Sequence, residues 1–154
     1  MLSDQLRLLL ADDDADDCMF FKEALEELQI SASLTTVKDG MQLMQHLAKS
    51  ENPLPHALYL DLNMPRKNGI DCLTEIKSSD RLKHLPVIIY STSFNQQVAD
   101  LLYERGANYY IQKPAEFSAI KNVLLKSIEL ITSNDNAQPV KKNFLLSDSK
   151  ANKQ

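Results

Sequence analysis

The chain has 154 residues, of which 44% are apolar and 25% are charged. This is the composition of a single globular domain, and a chain of this size buries enough surface to fold without disulfides or a structural metal. The net charge of −4 builds no basic face, which argues against a general nucleic-acid surface.

The first predicted element is a buried strand. Leu6 to Ala11 is a short apolar run that ends abruptly in three aspartates. Helical spacing follows, with Cys18, Phe21, Leu25 and Leu28 on one face. We expect Asp14, Asp16 and Asp17 to be helix-start charges, since the helix dipole favours acidic residues in the first turn.

The same alternation of strand and helix repeats along the chain. The further predicted strands are Ser33 to Val37, Ala57 to Asp61, Val87 to Tyr90 and Tyr109 to Gln112. The predicted helices are marked by Gly40 with Leu43 and Leu47, by Ile70 with Leu73 and Ile76, by Asn95 to Glu104, and by a stripe of Phe117, Ile120, Leu124, Ile128 and Ile131. Five such units predict an α/β three-layer (αβα) sandwich with a five-stranded parallel sheet.

Local signals bound the fourth helix. Ser93 with Gln96 matches a capping box, so we expect Ser93 to cap the start of this helix. Gly106 stands where a left-handed C-cap belongs.

The composition changes from about Ser133. We therefore expect a folded domain over residues 5–132 and a polar tail over residues 133–154. Phe144-Leu145-Leu146 forms an apolar island in this tail. We favour a mobile tail with an incidental island. The alternative is a docking segment that packs on the domain or on a partner.

Five side chains are predicted to lie at the carboxyl ends of the strands, where parallel α/β sheets bind ligands. They are Asp12, Asp13, Asp61, Ser91 and Lys113. Three clustered carboxylates repel one another more than one lysine can offset, and a hard cation such as Mg²⁺ removes that repulsion. An aspartate can also act as a nucleophile and form an aspartyl-phosphate. Such a transfer needs mainly positioning and charge neutralisation, which the cation, the ammonium and the hydroxyl would supply.

These motifs resemble the receiver domain of bacterial response regulators, of the single-domain chemotaxis type. The resemblance covers about Leu6 to Ile131. It rests on four pieces in order: Leu8-Leu9-Leu10-Ala11-Asp12-Asp13, Leu60-Asp61-Leu62-Asn63-Met64-Pro65 with Asn68-Gly69, Pro86-Val87-Ile88-Ile89-Tyr90-Ser91, and Gly106-Ala107 with Tyr109-Tyr110 and Lys113-Pro114. The resemblance implies the flavodoxin-like strand order 2-1-3-4-5.

The resemblance also implies a phosphorylation site and its metal. Asp61 is the expected phosphoacceptor. Asp13, Asp61 and the backbone carbonyl of Asn63 are the expected direct ligands of Mg²⁺ or Mn²⁺, and Asp12 is expected to help through a bound water.

Three further residues are implied in the switch. Ser91 is expected to turn towards the phosphoryl group, Lys113 to pair with its oxygens, and Tyr110 to change rotamer with Ser91. Plain core packing would explain Tyr110 equally well. The Lys113–Pro114 bond is expected to be cis, an isomer open essentially only to proline.

The chain departs from the family beside the phosphoacceptor. Thr92 stands where a small residue is usual, so its bulk narrows access to Asp61. Asn63 and Ser93 flank the place where water would attack the phosphoryl group. Our hypothesis is that Asn63, Thr92 and Ser93 set the lifetime of the phosphate.

The implied function is that of a single-domain response regulator, not an enzyme. Its expected partners are a histidine kinase or a histidine phosphotransfer protein, and a downstream protein that binds the face made by the fourth helix, fifth strand and fifth helix. The slightly long loop after the second helix favours regulators of phytochrome-like or hybrid kinases. Without a signal peptide or an apolar run of membrane length, we expect a cytoplasmic monomer or weak homodimer that binds neither nucleic acid nor membrane.

Four other functions are compatible with parts of this sequence. A phosphorelay intermediate that passes its phosphoryl group to a histidine phosphotransfer protein shares every site residue. A haloacid-dehalogenase-like phosphatase fits the spacing of Asp12 and Asp14, but Asp16 replaces the hydroxyl residue that it needs. A calcium loop of the EF-hand type lacks its turn glycine, which is Asp17 here. A structural module that signals without phosphate leaves the strand-end residues unexplained.

Overall fold

The computed structural model describes residues 5–49, 51, 53–133 and 137–148. The strands are β1 (Leu6–Ala11), β2 (Ala32–Val37), β3 (Ala57–Leu60), β4 (Val87–Ser91), β5 (Tyr109–Gln112) and β6 (Leu145–Leu146). The helices are α1 (Ala15–Leu28), α2 (Gly40–Ala48), α3 (Gly69–Ser78), α4 (Gln96–Glu104) and α5 (Phe117–Ser133), with a short 3₁₀ turn at Lys141–Asn143.

The strands form one parallel sheet in the order β2-β1-β3-β4-β5-β6. The predicted order 2-1-3-4-5 and the α/β class are therefore confirmed, and the sheet has one strand more than expected. No helix among the described residues has both the length and the apolar character needed to cross a membrane.

The sheet is covered on both faces, because alternate residues of each strand point to opposite sides. Leu9 and Ala11 of β1 join the core under α2, α3 and α4, whereas Leu8 and Leu10 join the core under α1 and α5. On the second face, the ring of Phe21 packs edge-on against Tyr59, with 4.9 Å between the ring centroids. The central strands thus read as continuous apolar runs because neither face meets water.

The C-terminal segment differs from the prediction. Leu145–Leu146 pairs in parallel with β5, and the backbone N–H of Tyr110 donates to the carbonyl of Phe144 at 3.0 Å. Phe144 is buried, and its ring packs edge-on against Tyr103 and Tyr110. The mobile tail is therefore wrong for residues 137–148, since burying this apolar island and pairing the β5 edge both favour docking. Residues 134–136 and 149–154 of the predicted tail lie outside the described residues.

Of the two predictions about the ends of α4, the one for its start is wrong and the one for its end is confirmed. Asn95, not Ser93, caps the helix, because the helix begins at Gln96 and the Asn95 side chain accepts from the N–H of Val98 at 3.1 Å. Ser93 lies two residues too early to reach the open N–H groups. At the other end, Gly106 has a φ of 102°, which confirms the predicted left-handed residue after the helix.

Candidate functional site

The predicted site residues are brought to one edge of the sheet by backbone pairing that continues past the strand ends. The N–H of Asp12 donates to Val37 at 3.0 Å, that of Asp61 to Ala11 at 2.9 Å, and that of Lys113 to Ser91 at 2.8 Å. Because the strands are parallel, their carboxyl ends meet at the same edge.

Three carboxylates form the centre of this edge. One oxygen from each of Asp12, Asp13 and Asp61 lies within 4.8 Å of the others. Asp12 and Asp61 are buried, whereas Asp13 is exposed. The Oδ2 of Asp12 is buried and is paired with the Lys113 ammonium at 2.7 Å. Three converging carboxylates are hard oxygen donors, and this donor set fits a divalent cation.

Burial of this cluster is electrostatically costly. It raises the pKa of Asp61 to about 6, an effect that Lys113 opposes and that the Asp12 carboxylate strengthens. Burial also raises the pKa of Asp12, although Lys113 and the N–H of Asp14 hold it down. A bound cation would favour the charged forms of both groups.

Lys113 is the cationic member of the site. Its ammonium lies 2.7 Å from Asp12, 2.7 Å from Asp17 and 3.7 Å from Asp61. Burial lowers the pKa of Lys113, but its hydrogen bonds to Asp12 and Asp17 outweigh that effect and raise the pKa. Lys113 therefore carries its charge at neutral pH.

The expected cis bond after Lys113 is wrong, because no peptide bond between described residues is cis. Trans is the intrinsically favoured isomer of an X–Pro bond. With the trans bond, Lys113 still reaches the acidic cluster, so its place in the site does not require the cis isomer.

A chain of hydroxyl groups lies behind the carboxylates. Ser91 is fully buried at the end of β4, and its Oγ lies 3.4 Å from that of Ser93. The Tyr110 hydroxyl donates to the Ser93 carbonyl at 2.6 Å, and the Tyr110 ring packs edge-on against Phe94. Burial, and then the nearby Asp61 charge, raise the pKa of Tyr110.

The other two predicted residues flank the site. Asn63 is exposed, and its N–H points to the Asp61 carboxylate at 3.5 Å. Thr92 is exposed as well, and its carbonyl accepts from the Gln112 side chain at 3.1 Å. Both residues are therefore open to solvent, with Asn63 beside Asp61 and Thr92 directly after the buried Ser91.

The loop after Asp61 is held from beneath by a glycine. The N–H of Gly69 donates to the Leu62 carbonyl at 2.9 Å, and the Asn68 side chain caps α3. A Cβ at Gly69 would collide with the Asp61 carbonyl. Gly69 thus lets α3 begin directly against the backbone of Asp61.

The sequence does not predict the role of Asp17 at this site. Its position indicates a helix-start charge, yet its carboxylate pairs with Lys113, 96 positions away. One signal could have revealed it: the first turn of α1 follows β1 directly, so it lies at the edge of the sheet where Lys113 also lies. His56, in contrast, lies at the opposite end of the strands, where it accepts from the N–H of Arg7 at the start of β1.

Comparison with known proteins places this geometry in a family. Residues 8–125 match the model of the response regulator receiver domain. Response regulator Rcp1 of Synechocystis sp. is 36% identical over 110 residues, covering 69% of this chain and 75% of that protein. Chemotaxis protein CheY-3 of Vibrio cholerae is 28% identical, covering 84% of this chain and 96% of that protein.

A solved structure agrees with the fold. The phosphorylated cyanobacterial phytochrome response regulator RcpA superposes with a TM-score of 0.78 and 32% identity, covering 84% of this chain and 96% of that one. Since the family model spans most of the described chain, and the fold agrees with that of a solved relative, the protein belongs to the response regulator receiver domain family of two-component signalling.

Proposed function

We propose that this chain is a phosphorylation switch that accepts a phosphoryl group on Asp61 from a histidine kinase. One observation carries the proposal: the carboxylates of Asp12, Asp13 and Asp61 converge within 4.8 Å, and the Lys113 ammonium lies 3.7 Å from Asp61. A nucleophilic carboxylate, a cation site and a fixed ammonium are what phosphoryl transfer to an aspartate needs.

In the proposed step, an Asp61 carboxylate oxygen attacks the phosphorus of the kinase phosphohistidine. The new O–P bond forms as the P–N bond breaks, and the departing histidine nitrogen keeps the electron pair. Lys113 neutralises one phosphoryl oxygen, and the Ser91 hydroxyl turns from Ser93 to donate to another. The step consumes no water and no further reactant.

Asp13, Asp61 and the Asn63 carbonyl would hold Mg²⁺, with Asp12 acting through a bound water. When bound, the cation neutralises phosphoryl oxygens in the transition state. The convergence of one oxygen from each of Asp12, Asp13 and Asp61 within 4.8 Å supports such a site. A solved structure of Rcp1 is described as its Mn²⁺-bound form, which supports a divalent cation in this fold.

The output of the switch would be a changed surface. Ser91 moving towards the phosphoryl group would break its contact with Ser93, whose carbonyl anchors the Tyr110 hydroxyl. Tyr110 lies in β5, between α4 and the docked C-terminal segment. A downstream protein would bind this face. Phosphorylation would control that binding by shifting the equilibrium between two conformations of the face.

The donor would be a phytochrome-like kinase in the cytoplasm. RcpA is described as a phytochrome response regulator, and that description supports this kinase class here. Phosphotransfer from a panel of purified kinases tests it: faster transfer from phytochrome kinases is expected, and equal rates across the panel would reject it.

The lifetime of the phosphate would depend on Asn63, Thr92 and Ser93. Both Asn63 and Thr92 are exposed, and the N–H of Asn63 points to Asp61, so these residues could control the approach of water. Thr92→Ala should widen the approach and Ser93→Glu should change how water is oriented. If both variants lose phosphate at the wild-type rate, this part of the proposal is wrong.

The decisive experiment uses small phosphodonors. The protein is incubated with Mg²⁺ and acetyl phosphate, and the mass gain of one phosphoryl group is measured. Modification that disappears in Asp61→Asn supports the proposal. An unmodified wild type that also fails to bind beryllofluoride overturns it.

A further inference from the structure

Asp17 makes a further ion pair at this site, with Lys113. The carboxylate lies in the first turn of α1, and its backbone N–H donates to the capping side chain of Asp14 at 3.0 Å. That cap explains why the helix begins here, but not the direction of the Asp17 side chain, which reaches across to Lys113 at the end of β5.

The Lys113 ammonium has three N–H donors. Asp12 and Asp17 each lie 2.7 Å away and take two of them, whereas Asp61 lies at 3.7 Å, beyond a normal hydrogen bond. Lys113 is therefore held nearer to the two carboxylates that are not phosphorylated than to the one that is proposed to be.

Asp17 differs from the other carboxylates in the positive charge that neutralises it. Asp12, Asp13 and Asp61 form the group that could hold a cation, and Asp17 lies outside it. A divalent cation would offset two of the first three charges, whereas the Asp17 charge is balanced by Lys113. A phosphoryl group would replace the single charge of Asp61 with about −1.5 to −2, so it would attract Lys113 more strongly and draw it away from Asp17.

We propose that Asp17 is a positioning residue that restrains Lys113 and competes with the phosphoryl group for it. Asp17 thereby weakens the phosphorylated state and sets how readily the switch turns on. This inference rests on the proposed function of Asp61 and adds a residue outside the acidic cluster to its regulation.

The test measures the affinity for beryllofluoride in the presence of Mg²⁺, by ¹⁹F NMR or calorimetry. Asp17→Asn should bind beryllofluoride roughly two- to fivefold more tightly than the wild type, within the range expected for loss of one partly exposed competing charge. Asp17→Glu keeps the charge and should stay near the wild-type affinity. Asp16→Asn removes the neighbouring exposed charge and should change the affinity less than twofold.

A double-mutant cycle separates restraint of Lys113 from a general charge effect. In a Lys113→Ala background, Asp17→Asn should gain no more than Asp16→Asn does. A full gain in that background, or equal affinities of Asp17→Asn and Asp16→Asn on the wild-type background, would overturn the inference. A wild type that does not bind beryllofluoride at all would instead overturn the proposed function.

Discussion

At the scale of single residues, the site combines burial with like charge. Asp61 is 6% exposed and stands beside Asp12, which is fully buried. Burial of these two carboxylates does not stabilise the fold, because a buried charge costs free energy unless it is paired. Among the described residues, Lys113 is the cation that lies close to both, and it also pairs with Asp17. These charged groups thus lower the stability of the folded protein relative to neutral side chains at the same positions, as is common at functional sites.

The first prediction concerns the pH dependence of stability in the absence of divalent cations. The pKa of Asp61 is about 6 in the folded chain, above the value of about 3.9 for a free aspartate. The folded state therefore holds more protons between these values, so this group's cost is absent below about pH 4, grows as pH rises, and is complete above about pH 6. Asp61→Asn should raise the free energy of unfolding at pH 7 by at most about 3 kcal/mol.

Urea denaturation at pH 4 and pH 7 measures this difference. The gain from Asp61→Asn should be larger at pH 7 than at pH 4, and Asp16→Asn, which alters an exposed side chain, should show little gain at either. A variant that is less stable than the wild type at pH 7 would contradict the prediction.

The second prediction concerns Gly69. Gly69→Ala places a methyl group against the Asp61 carbonyl, so the backbone of Asp61 must move. We expect a loss of about 1–3 kcal/mol of stability and slower modification by acetyl phosphate. Gly106→Ala, also strained because of its φ of 102°, lies at the opposite edge of the sheet and should lose stability without slowing modification. Equal rates for the two variants would refute the positioning role of Gly69.

At the scale of elements, the docked C-terminal segment is the main addition to the predicted fold. The segment contacts α4 through the Tyr103 hydroxyl, which donates to Pro139 at 2.7 Å, and through Lys141, which pairs with Asp100 at 3.2 Å. It also covers the β5 edge beside Tyr110. The predicted output face of α4, β5 and α5 is therefore partly occupied by the chain itself.

The third prediction tests how much this docking stabilises the fold. Phe144 is 4% exposed whereas its neighbour Leu145 is 42% exposed. Phe144→Ala should lower the free energy of unfolding by about 2–4 kcal/mol, because a buried ring leaves a cavity. Leu145→Ala should change it by less than about 0.5 kcal/mol. Similar losses in urea denaturation would indicate that the ring is not anchored.

At the scale of the whole molecule, the proposed site would couple metal binding to folding. Its three carboxylates directly follow β1 and β3, which are brought together only in the folded sheet. A cation that binds the folded chain alone raises its stability by an amount set by its free concentration relative to its Kd. The sheet thus acts as the scaffold that turns separate aspartates into one site.

The fourth prediction follows from this coupling. Adding Mg²⁺ at pH 7 should raise the Tm, and EDTA should reverse the rise. Asp13→Asn, at an exposed member of the cluster, should weaken the rise, because a direct ligand is lost. Since protonation of Asp61 below its pKa of about 6 competes with the cation, the rise should be smaller at pH 5. A rise of the same size in Asp13→Asn would place the cation elsewhere.

The sequence by itself determined the layered fold and the membership of the acidic cluster. Apolar periodicity distinguishes strands from helices, and a parallel topology must gather the strand ends, so Asp12, Asp61 and Lys113 could be predicted to meet. The tertiary structure alone decided the Asp17–Lys113 pair and the docking of Phe144 on Tyr110. These contacts join residues far apart in the chain. They depend on how far a side chain reaches and on the unpaired edge of β5, and neither produces a periodic pattern in the sequence.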